Sequence, residues 1–389
     1  MLYFNNKVSG IFAFTPNNRV DIGGIKANKF LNWLPEHGYL TTFFELPTSQ
    51  KTVFNNKNEI VIPMEKILVS IVLREKFIYN RVLKALNEIF STYKYRKIIL
   101  DNLKYISSYV SRYLSSIIFF RKYFKKHKPK IIFTVCHYCT INKGIIKVAN
   151  EMNIPTVDVQ HGLISKTQPG YISKNSIKED IPMYIFVYGK YFKDIILENS
   201  NWFSSNNIIV TGNYYLSKYK INEDVYNHKN NVLLITTQPI VDCKAYEKII
   251  QEALKENLEV YIKIHPSERI EKYEMLRNKY NLKIIDKTEN LYEVLKKAKY
   301  HATVFSTSAI ESLFFGIPNI IIPWKNYENN LDFLVDNKTS IKYNEKLSKI
   351  LKTLDKNRDK TILKGEYFFH DWDQEKADYI LNQYFTTGR

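Results

Sequence analysis

Short, continuous runs of apolar residues alternate with longer segments of helical periodicity along most of the chain after residue 130. Continuous apolar runs are typical of strands buried on both faces, so their alternation with helices predicts parallel sheets covered by helices. A second series of such units opens at the run 232–239. The other predicted strands of this region cover residues 131–135, 156–159, 184–188, 208–211, 260–264, 283–285, 301–305 and 317–322.

The first third of the chain follows this order less regularly. An apolar run at 10–14 precedes a loop that contains Gly23 and Gly24, then a helical pattern over 25–34 and a strand-like run at 40–44. This order predicts the opening of a doubly wound α/β domain. From about 65 to 126, apolar residues interleaved with Lys and Arg, without Gly or Pro, predict a helical insertion.

A chain of 389 residues with 45% hydrophobic content is long enough for two cores, since single cores usually stop growing at about 250–300 residues. The polar stretch 218–231 has little apolar periodicity, which favours an interdomain linker. We therefore predict an N-terminal domain over 1–225 and a C-terminal domain over 226–389, whose last helix packs back on the first domain.

The net charge of +18 implies an anionic partner, which is a membrane surface, nucleic acid, or a phosphorylated or acidic substrate. The N-terminus lacks a basic start followed by a long apolar stretch, and no window has the length and apolarity of a spanning helix. The expectation is a protein that is cytoplasmic or peripheral to the membrane. The segment 119–128 alternates aromatic and basic residues, which fits either an interfacial membrane helix or a half-buried helix with a basic face.

Three cysteines fit a reducing compartment. Cys136 and Cys139 form a C-x-x-C around His137, a spacing compatible with zinc binding or redox chemistry. No second pair of ligands follows at zinc-finger spacing, and Cys243 is distant in sequence. The sequence therefore predicts neither a metal site nor a disulfide framework.

Three polar motifs stand where predicted strands end. In open α/β sheets, ligands bind at the carboxyl ends of strands, where loops and helix N-termini offer donors to phosphate. Three motifs at such ends predict one cleft with one phosphorylated ligand. The motifs are Gln160-His161-Gly162, His265-Pro266, and Ser306-Thr307-Ser308 with Glu311.

These features resemble those of a known family. Two Rossmann-like domains, with a Gly pair near the N-terminus and a phosphate-type loop late in the second domain, resemble the GT-B fold of glycosyltransferases, in which the domains face a central cleft. The stretch 154–162, which ends in Gln-His-Gly, resembles the Q-H-G region of capsule and surface-polysaccharide transferases. The H-P and S/T motifs are similar to those of bacterial sialyltransferases, polysialyltransferases and Kdo transferases, which use CMP-sugars. The resemblance covers residues 130–325 well and the N-terminal third only loosely.

The resemblance implies an α/β enzyme at the cytoplasmic face of the membrane that transfers sialic acid or Kdo to a capsule, lipooligosaccharide or O-antigen glycan. It implies a nucleotide-sugar donor as co-substrate, a glycan or glycolipid acceptor and no separate cofactor. No D-x-D motif stands beside the polar motifs, so chemistry without an obligatory metal is the expectation. The oligomeric state stays open.

The donor-side residues can be interpreted from their own chemistry. Ser306, Thr307 and Ser308 offer three hydroxyls for phosphate, whereas simple capping of the next helix by Ser308 needs only one. Glu311 fits a capping box with Ser308 and equally, in the resembling families, a contact to the nucleotide ribose. His265 is held by Pro266 at a strand end, where its imidazole can donate to phosphate or contact a base.

An inverting sugar transfer needs a group that removes the proton of the acceptor hydroxyl. His161 has the titration range for this role, and Gly162 beside it lets an acceptor approach closely. Asp158 and Asp21 are competing candidates, because transferases of the resembling kind often use a carboxylate. The sequence leaves the choice among these three residues open.

Three alternatives share parts of this pattern. A transferase that uses a UDP- or GDP-sugar has the same fold, and a polyol-phosphate transferase of the CDP-glycerol type also carries a His-Gly motif. A UDP-sugar epimerase is less favoured, since no run of catalytic carboxylates is recognisable. Nucleic-acid binding is disfavoured because zinc spacing, RNP-like aromatic motifs and an aromatic-basic recognition helix are all missing from the sequence.

Overall fold

The computed structural model describes residues 8–16, 19–22, 25–45, 57–91, 96–174, 178–220 and 231–385. By contacts between residues, the chain divides into two compact units. The first unit comprises Met1–Val187, Lys193–Ile209 and Gln374–Arg389, and the second comprises Tyr188–Phe192 and Val210–Asp373. The boundary expected between residues 225 and 226 lies outside the described residues.

Parallel sheets form the centre of each unit. The strands are β1 (Ile11–Thr15), β2 (Arg19–Ile22), β3 (Ile25–Asn28), β4 (Thr41–Glu45), β5 (Glu59–Pro63), β6 (Ile131–Val135), β7 (Thr156–Val159), β8 (Tyr184–Val187), β9 (Ile208–Val210), β10 (Val232–Thr236), β11 (Glu259–Lys263), β12 (Lys283–Ile285), β13 (Tyr300–Thr303), β14 (Asn319–Ile321) and β15 (Ser340–Lys342).

Helices connect most of these strands, as crossovers between parallel strands require. They are α1 (Trp33–Glu36), α2 (Glu65–Phe90), α3 (Arg96–Asp101), α4 (Leu103–His127), α5 (Thr140–Glu151), α6 (Lys190–Asn199), α7 (Tyr214–Ser217), α8 (Glu247–Lys255), α9 (Glu274–Tyr280), α10 (Leu291–Leu295), α11 (Ser308–Phe314), α12 (Asp332–Asp336), α13 (Leu347–Lys356), α14 (Arg358–Phe368) and α15 (Gln374–Asn382). Short 3-10 turns cover Ser205–Asn207, Cys243–Tyr246, Ile270–Tyr273 and Tyr327–Leu331.

The first unit contains a seven-stranded sheet in the order β5-β4-β1-β6-β7-β8-β9. The chain builds outward from β1 to β4 and β5, and then returns to the other side of β1 with β6. All the described pairings of this sheet are parallel. The C-terminal helix α15 belongs to this unit, where Tyr39 donates a hydrogen bond to Asp378 at 2.8 Å.

The second unit contains a six-stranded parallel sheet in the order β12-β11-β10-β13-β14-β15. Its strands β10, β13 and β14 are buried throughout, whereas β11, β12 and β15 are partly exposed. Burial of both faces of the inner strands is what continuous apolar sequences predict. The strand predictions after residue 130 are confirmed to within about two residues at each end, except that the run 232–239 gives a strand that ends at Thr236. Strand β15 and helices α7, α12, α13 and α14 have no counterpart among the predictions.

The predicted helix over 25–34 is wrong. Residues 25–28 form β3, which pairs antiparallel with β2 in register from Arg19 opposite Asn28 to Ile22 opposite Ile25. Gly23 and Gly24, which we interpreted as a loop before a helix, lie outside the described residues. In the part of this region that the structure describes, the helix that follows β3 is the short α1.

The aromatic residues of the segment 119–128 point into the core. Phe119, Phe120, Tyr123 and Phe124 on α4 are buried with Phe12 and Phe44 of the sheet. This burial supports the half-buried helix with a basic outer face and excludes an interfacial arrangement of those rings. Among the described helices, none combines the length and apolarity that crossing a bilayer requires.

Candidate active site

The carboxyl edge of the six-stranded sheet carries the polar motifs of the second unit. The chain builds from β10 to β11 and β12, and then returns to the other side of β10 with β13. Ligands of open parallel sheets bind at such a reversal, beyond the carboxyl ends of the two central strands. The loops at this point are 237–238 after β10 and 304–307 after β13, with His265 following the neighbouring β11.

The His265 imidazole is held by its own loop. The backbone N–H of Ser267 donates to His265 Nδ1 at 3.2 Å, and the Ser267 hydroxyl lies 2.8 Å from the same nitrogen. Because Nδ1 accepts a hydrogen bond, a neutral ring carries its proton on Nε2. The side chain is half-buried, and Pro266 beside it is exposed. The arrangement therefore offers Nε2–H as a donor to an anionic ligand.

A buried carboxylate fixes the loops on both sides of His265. Glu268 accepts hydrogen bonds from the backbone N–H of His265 at 3.1 Å, from Tyr273 at 2.8 Å and from Lys272 at 2.6 Å. The Thr237 hydroxyl also donates to Glu268 and accepts from the His265 N–H at 3.1 Å. Burial opposes ionisation, but the hydrogen bonds lower the pKa of Glu268. The β10 and β11 loops are thereby tied to one another.

The three hydroxyls at 306–308 do not point the same way. Ser308 is 2% exposed, and its hydroxyl lies 2.7 Å from the Thr236 hydroxyl and 3.3 Å from His301 Nε2. Ser306 is half-buried and its hydroxyl accepts from the Ser308 N–H at 3.2 Å, whereas Thr307 is exposed. Of the three, Ser306 and Thr307 are therefore the residues that can contact a ligand.

The first turn of α11 is already bonded within the chain. Ala309 N–H donates to the carbonyl of Ser306 at 3.1 Å, and Ile310 N–H donates to that of Thr307 at 2.9 Å. The N-cap is Thr307, whose side chain makes no capping bond, so capping by Ser308 is not observed. The interpretation of free helix N–H groups as phosphate ligands loses its support here, which leaves hydroxyls and His265 as the donors.

His301 connects β13 to this loop from inside the unit. Its Nδ1 lies 2.7 Å from Asn319 Oδ1, and its Nε2 lies 2.9 Å from the Thr236 hydroxyl. The ring is fully buried, and this burial lowers the pKa of His301 to about 4. The neutral ring accepts at Nε2 and so orders the Thr236 and Ser308 hydroxyls.

Glu311 lies on α11, one turn beyond the loop. It is half-buried and accepts a hydrogen bond from the Tyr292 hydroxyl at 2.9 Å. Burial and the neighbouring Glu311 carboxylate raise the pKa of Tyr292 well above its usual value. A ribose contact by Glu311 stays a prediction.

The first unit places His161 directly after β7. Its Nε2 lies 3.3 Å from the Tyr138 hydroxyl and its Nδ1 lies 3.5 Å from the Tyr171 hydroxyl. Gly170 allows this packing, because a Cβ there would lie 2.3 Å from the Tyr138 ring. His161 is half-buried, and a Cβ at Gly162 would meet open space. The imidazole is thus held by two phenols beside an open stretch of backbone.

Asp158 lies on β7 and is fully buried. Its carboxylate oxygens accept from the Thr134 hydroxyl, the His137 N–H and His137 Nδ1, each at 2.9 Å, and from Tyr171 at 3.3 Å. A buried carboxylate with this many donors positions its neighbours. A role of Asp158 as the general base stays a prediction, whereas its hydrogen bonds favour a positioning role.

Asp21 lies on β2 opposite Lys26, and its side chain is outside the described part of the chain.

Among the described residues, no group of three or more His, Cys, Asp and Glu side chains has the arrangement of a metal site.

Sequence reasoning did not assign roles to the residues that hold the motifs in place. Tyr138 and Tyr171 flank His161, and Thr237 and Glu268 hold His265. Thr237 directly follows the observed β10. The predicted run 232–239 extended past this residue, so the strand-end rule that identified His265 did not identify Thr237. The other three lie in loops, where the pattern carries no information about partners.

Comparison with solved structures identifies the architecture. The UDP-GlcNAc 2-epimerase of Neisseria meningitidis, bound to UDP-GlcNAc, aligns with a TM-score of 0.50 at 15% identity, over 96% of this chain and 98% of that chain. MurG of Acinetobacter baumannii aligns with a TM-score of 0.51 at 11% identity, over 96% and 99%. The wall teichoic acid polymerase TagF, soaked with CDPG, aligns with a TM-score of 0.50 at 11% identity, over 97% and 88%.

This chain has the GT-B fold. The predicted fold class of two Rossmann-like domains is confirmed. The sequence matches no protein-family model, and comparison with curated proteins finds no significant relative. The GT-B scaffold is therefore shared with transferases and with epimerases, and the fold by itself does not choose between them.

The buried His301 gives the second unit a characteristic dependence on pH. The pKa of the ring is about 4 in the folded protein and about 6.5 in an unfolded chain. Between these values the unfolded state binds more protons, so stability is full above pH 6.5 and is lost as pH falls toward 4. The expected loss between pH 7 and pH 5 is about 2 kcal/mol. Urea unfolding of the wild type and of His301→Gln at both pH values measures it, and equal pH dependence in the two proteins would contradict this role.

Proposed function

We propose that this protein is a glycosyltransferase that takes a sugar from a pyrimidine-nucleotide donor, with CMP-linked sialic acid or Kdo as the specific donor. The observation that carries the proposal is the set of donors at the reversal of the second sheet. His265 Nε2–H, Ser306 and Thr307 lie beyond β11 and β13, the two strands that flank β10. A doubly wound sheet binds nucleotide phosphates at this place. The GT-B neighbours named above include structures with UDP-GlcNAc and CDPG, which supports a pyrimidine nucleotide.

The donor half of the proposal assigns separate roles to the three motif residues. His265 donates from Nε2 to a phosphate oxygen, and the Ser306 and Thr307 hydroxyls add neutral donors. Ser308 does not contact the donor in this proposal. Its hydrogen bonds to Thr236 and His301 hold the loop after β13 in place. Glu311 is assigned to the ribose. The sugar of the donor would contact other residues of these loops, and those residues would determine which sugar is bound.

The acceptor half of the proposal assigns the proton transfer to His161. In an inverting transfer, the acceptor hydroxyl loses its proton as it attacks the anomeric carbon and the nucleotide phosphate departs. Tyr138 and Tyr171 hold the imidazole, and the buried Asp158 holds Tyr171 and His137 in turn. Such support for a base is what positions its lone pair for reaction.

A second candidate is a polyol-phosphate transferase that uses a CDP-linked donor. The alignment with TagF, which covers 97% of this chain, supports this candidate. In that reaction the acceptor oxygen attacks phosphorus and CMP departs, so the product carries a phosphodiester. The two candidates differ in whether phosphate is transferred along with the donor group.

We also propose that the enzyme works at the anionic inner face of the cell membrane. Val69, Leu73 and Phe77 follow each other at four-residue spacing on α2, with Leu73 53% and Phe77 83% exposed. The adjacent helix α4 carries six Lys and Arg residues and no acidic residue. Exposed apolar groups beside cations suit an interface with anionic lipid headgroups.

The donor prediction is tested by thermal unfolding with CMP, CDP, UDP, GDP and their sugar or glycerol conjugates. A ligand at about 100 times its Kd adds about 2.7 kcal/mol to the stability of the folded state and raises Tm by several degrees. We expect CMP and its conjugates to give the largest rise in Tm. A larger rise with CDP-glycerol or with a UDP-sugar would contradict the CMP-linked donor.

His265→Ala should weaken the affinity for the donor nucleotide by about 10- to 100-fold, since it removes a hydrogen bond to a charged group. His37→Ala, an exposed histidine of the first unit, is the matched control.

The proton-transfer prediction separates turnover from donor binding. His161→Ala should lower kcat by about 10²- to 10⁴-fold, the usual contribution of a general base, with donor affinity close to that of the wild type. His161→Gln keeps a polar side chain of similar reach and should be as slow, because it has no proton-accepting nitrogen at neutral pH. Wild-type turnover in either variant would remove His161 from the mechanism.

The membrane prediction uses flotation with vesicles of phosphatidylglycerol and phosphatidylcholine. Anionic vesicles should carry the protein and neutral ones should not, because the cations contribute about 1 kcal/mol each near the surface. Leu73→Glu with Phe77→Glu should reduce binding by at least about tenfold. Met275→Glu alters an exposed apolar residue of the second unit and should have no effect. Equal binding to both vesicle types would overturn the proposal.

A further inference from the structure

The loop between β6 and α5 lies at the reversal of the first sheet. The chain builds from β1 to β4 and β5, and β6 then begins the other half on the opposite side of β1. This is the place where an open parallel sheet presents its loops to ligands. The loop contains Cys136 and Cys139, which neither the donor nor the acceptor assignment uses.

The backbone brings the two cysteines together. Cys139 N–H donates to the Cys136 carbonyl at 3.2 Å, which closes a four-residue turn. The Cα atoms at the ends of such a turn lie within about 7 Å, close to the range that a disulfide spans. Cys136 has φ of 68°, and Asn142 Nδ2 donates to its carbonyl at 3.1 Å, so the turn is fixed from the helix side.

The two thiols have different environments. Cys139 is exposed and is the N-cap residue of α5, whereas Cys136 is half-buried behind it. A hydrogen bond from the Cys136 thiol, aided by the N–H groups of Asn142 and Ile141, lowers the pKa of Cys139 to about 7. The hydrogen bond to Cys139 and burial raise the pKa of Cys136 to about 12. One sulfur is therefore an accessible nucleophile and the other a protected thiol next to it.

We propose that Cys136 and Cys139 form a redox-active dithiol that closes reversibly to an intramolecular disulfide. The oxidant is a low-molecular-weight disulfide. The Cys139 thiolate attacks one sulfur of the oxidant and releases one thiolate, which leaves a mixed disulfide on Cys139. Cys136 then loses its proton and attacks the Cys139 sulfur, and the second thiolate departs. The protein loses two protons and two electrons, which the oxidant takes up to become two thiols.

Closure of the disulfide changes the surroundings of His161. In the reduced protein, His161 makes a hydrogen bond to the Cys136 sulfur that favours the thiolate form of this residue. A disulfide sulfur is a weaker acceptor than a thiolate, and closure draws Cys136 toward Cys139, so oxidation weakens this contact. The effect of oxidation on turnover rests on the proposed function of His161, whereas the disulfide itself does not.

The test follows thiol chemistry and needs no substrate. The full chain, in a Cys243→Ser background, is incubated with oxidised glutathione and analysed by intact mass and by peptide mapping. We expect a loss of about 2 Da, with a 136–139 disulfide that dithiothreitol reverses. Cys136→Ser should instead retain one glutathione on Cys139, because the resolving thiol is missing. Cys139→Ser should react at least about tenfold more slowly. The proposal is overturned if the background protein retains glutathione as the Cys136→Ser variant does, or if no disulfide forms.

Two further measurements keep the result independent of folding and of catalysis. In the wild type, Cys139 should be alkylated at pH 7 at least about tenfold faster than Cys243, whose pKa is raised by burial and by Asp242. Equal rates would contradict the assigned nucleophile. The imidazole resonance of His161, assigned through His161→Gln, should shift on oxidation, while the Tm change caused by the donor nucleotide should stay the same. A disulfide that forms without altering turnover would overturn the role of His161 and leave the dithiol intact.

Discussion

The candidate active site of the first unit depends on the hydrogen bonds that the buried Asp158 carboxylate accepts. A carboxylate removed from water is stable only when donors surround it, and here those donors come from β6, from the loop after β6 and from the loop after β7. The requirement therefore fixes three segments at once. His137 and Tyr171 take their places because they donate to Asp158, and Tyr171 in turn contacts His161. The turn that holds Cys136 and Cys139 lies in the same loop.

In the second unit, two buried polar side chains each join loops by hydrogen bonds in the same way. Glu268 gathers the β10 and β11 loops, and the neutral His301 gathers the hydroxyls behind the β13 loop. Both groups lie below the carboxyl edge of the sheet, whereas His265 and Ser306 are half-buried and Thr307 is exposed at that edge. Hydrogen bonds shielded from water keep the geometry of such loops fixed. The donors of the proposed nucleotide site are thereby oriented before a ligand binds.

The GT-B scaffold is compatible with more than one nucleotide-dependent reaction. Parallel sheets bury both faces, so their polar side chains collect at the carboxyl edges, and any nucleotide-dependent reaction can use that edge. Epimerases and transferases share this arrangement, as the aligned structures illustrate. What separates the reactions is the detail of the loops. In this chain that detail includes an imidazole between two phenols and a pair of thiols beside it, both in the first unit.

The sequence by itself determined the parallel sheets, their strands after residue 130 and the placement of three polar motifs at strand ends. It could do so because continuous apolar runs and Gly or Pro punctuation are local signals of burial and of chain direction. Only the tertiary structure decided which hydroxyl of 306–308 turns inward, which residues hold His161 and His265, and where the aromatic rings of α4 lie. It also showed strand β3, paired antiparallel with β2, at the start of the helix expected at 25–34, since pairing between strands outweighs local helical periodicity. Such partners are distant in sequence, and Thr236 and Ser308, for example, are 72 residues apart. A local pattern indicates that a residue is buried, whereas the fold decides what it is buried against.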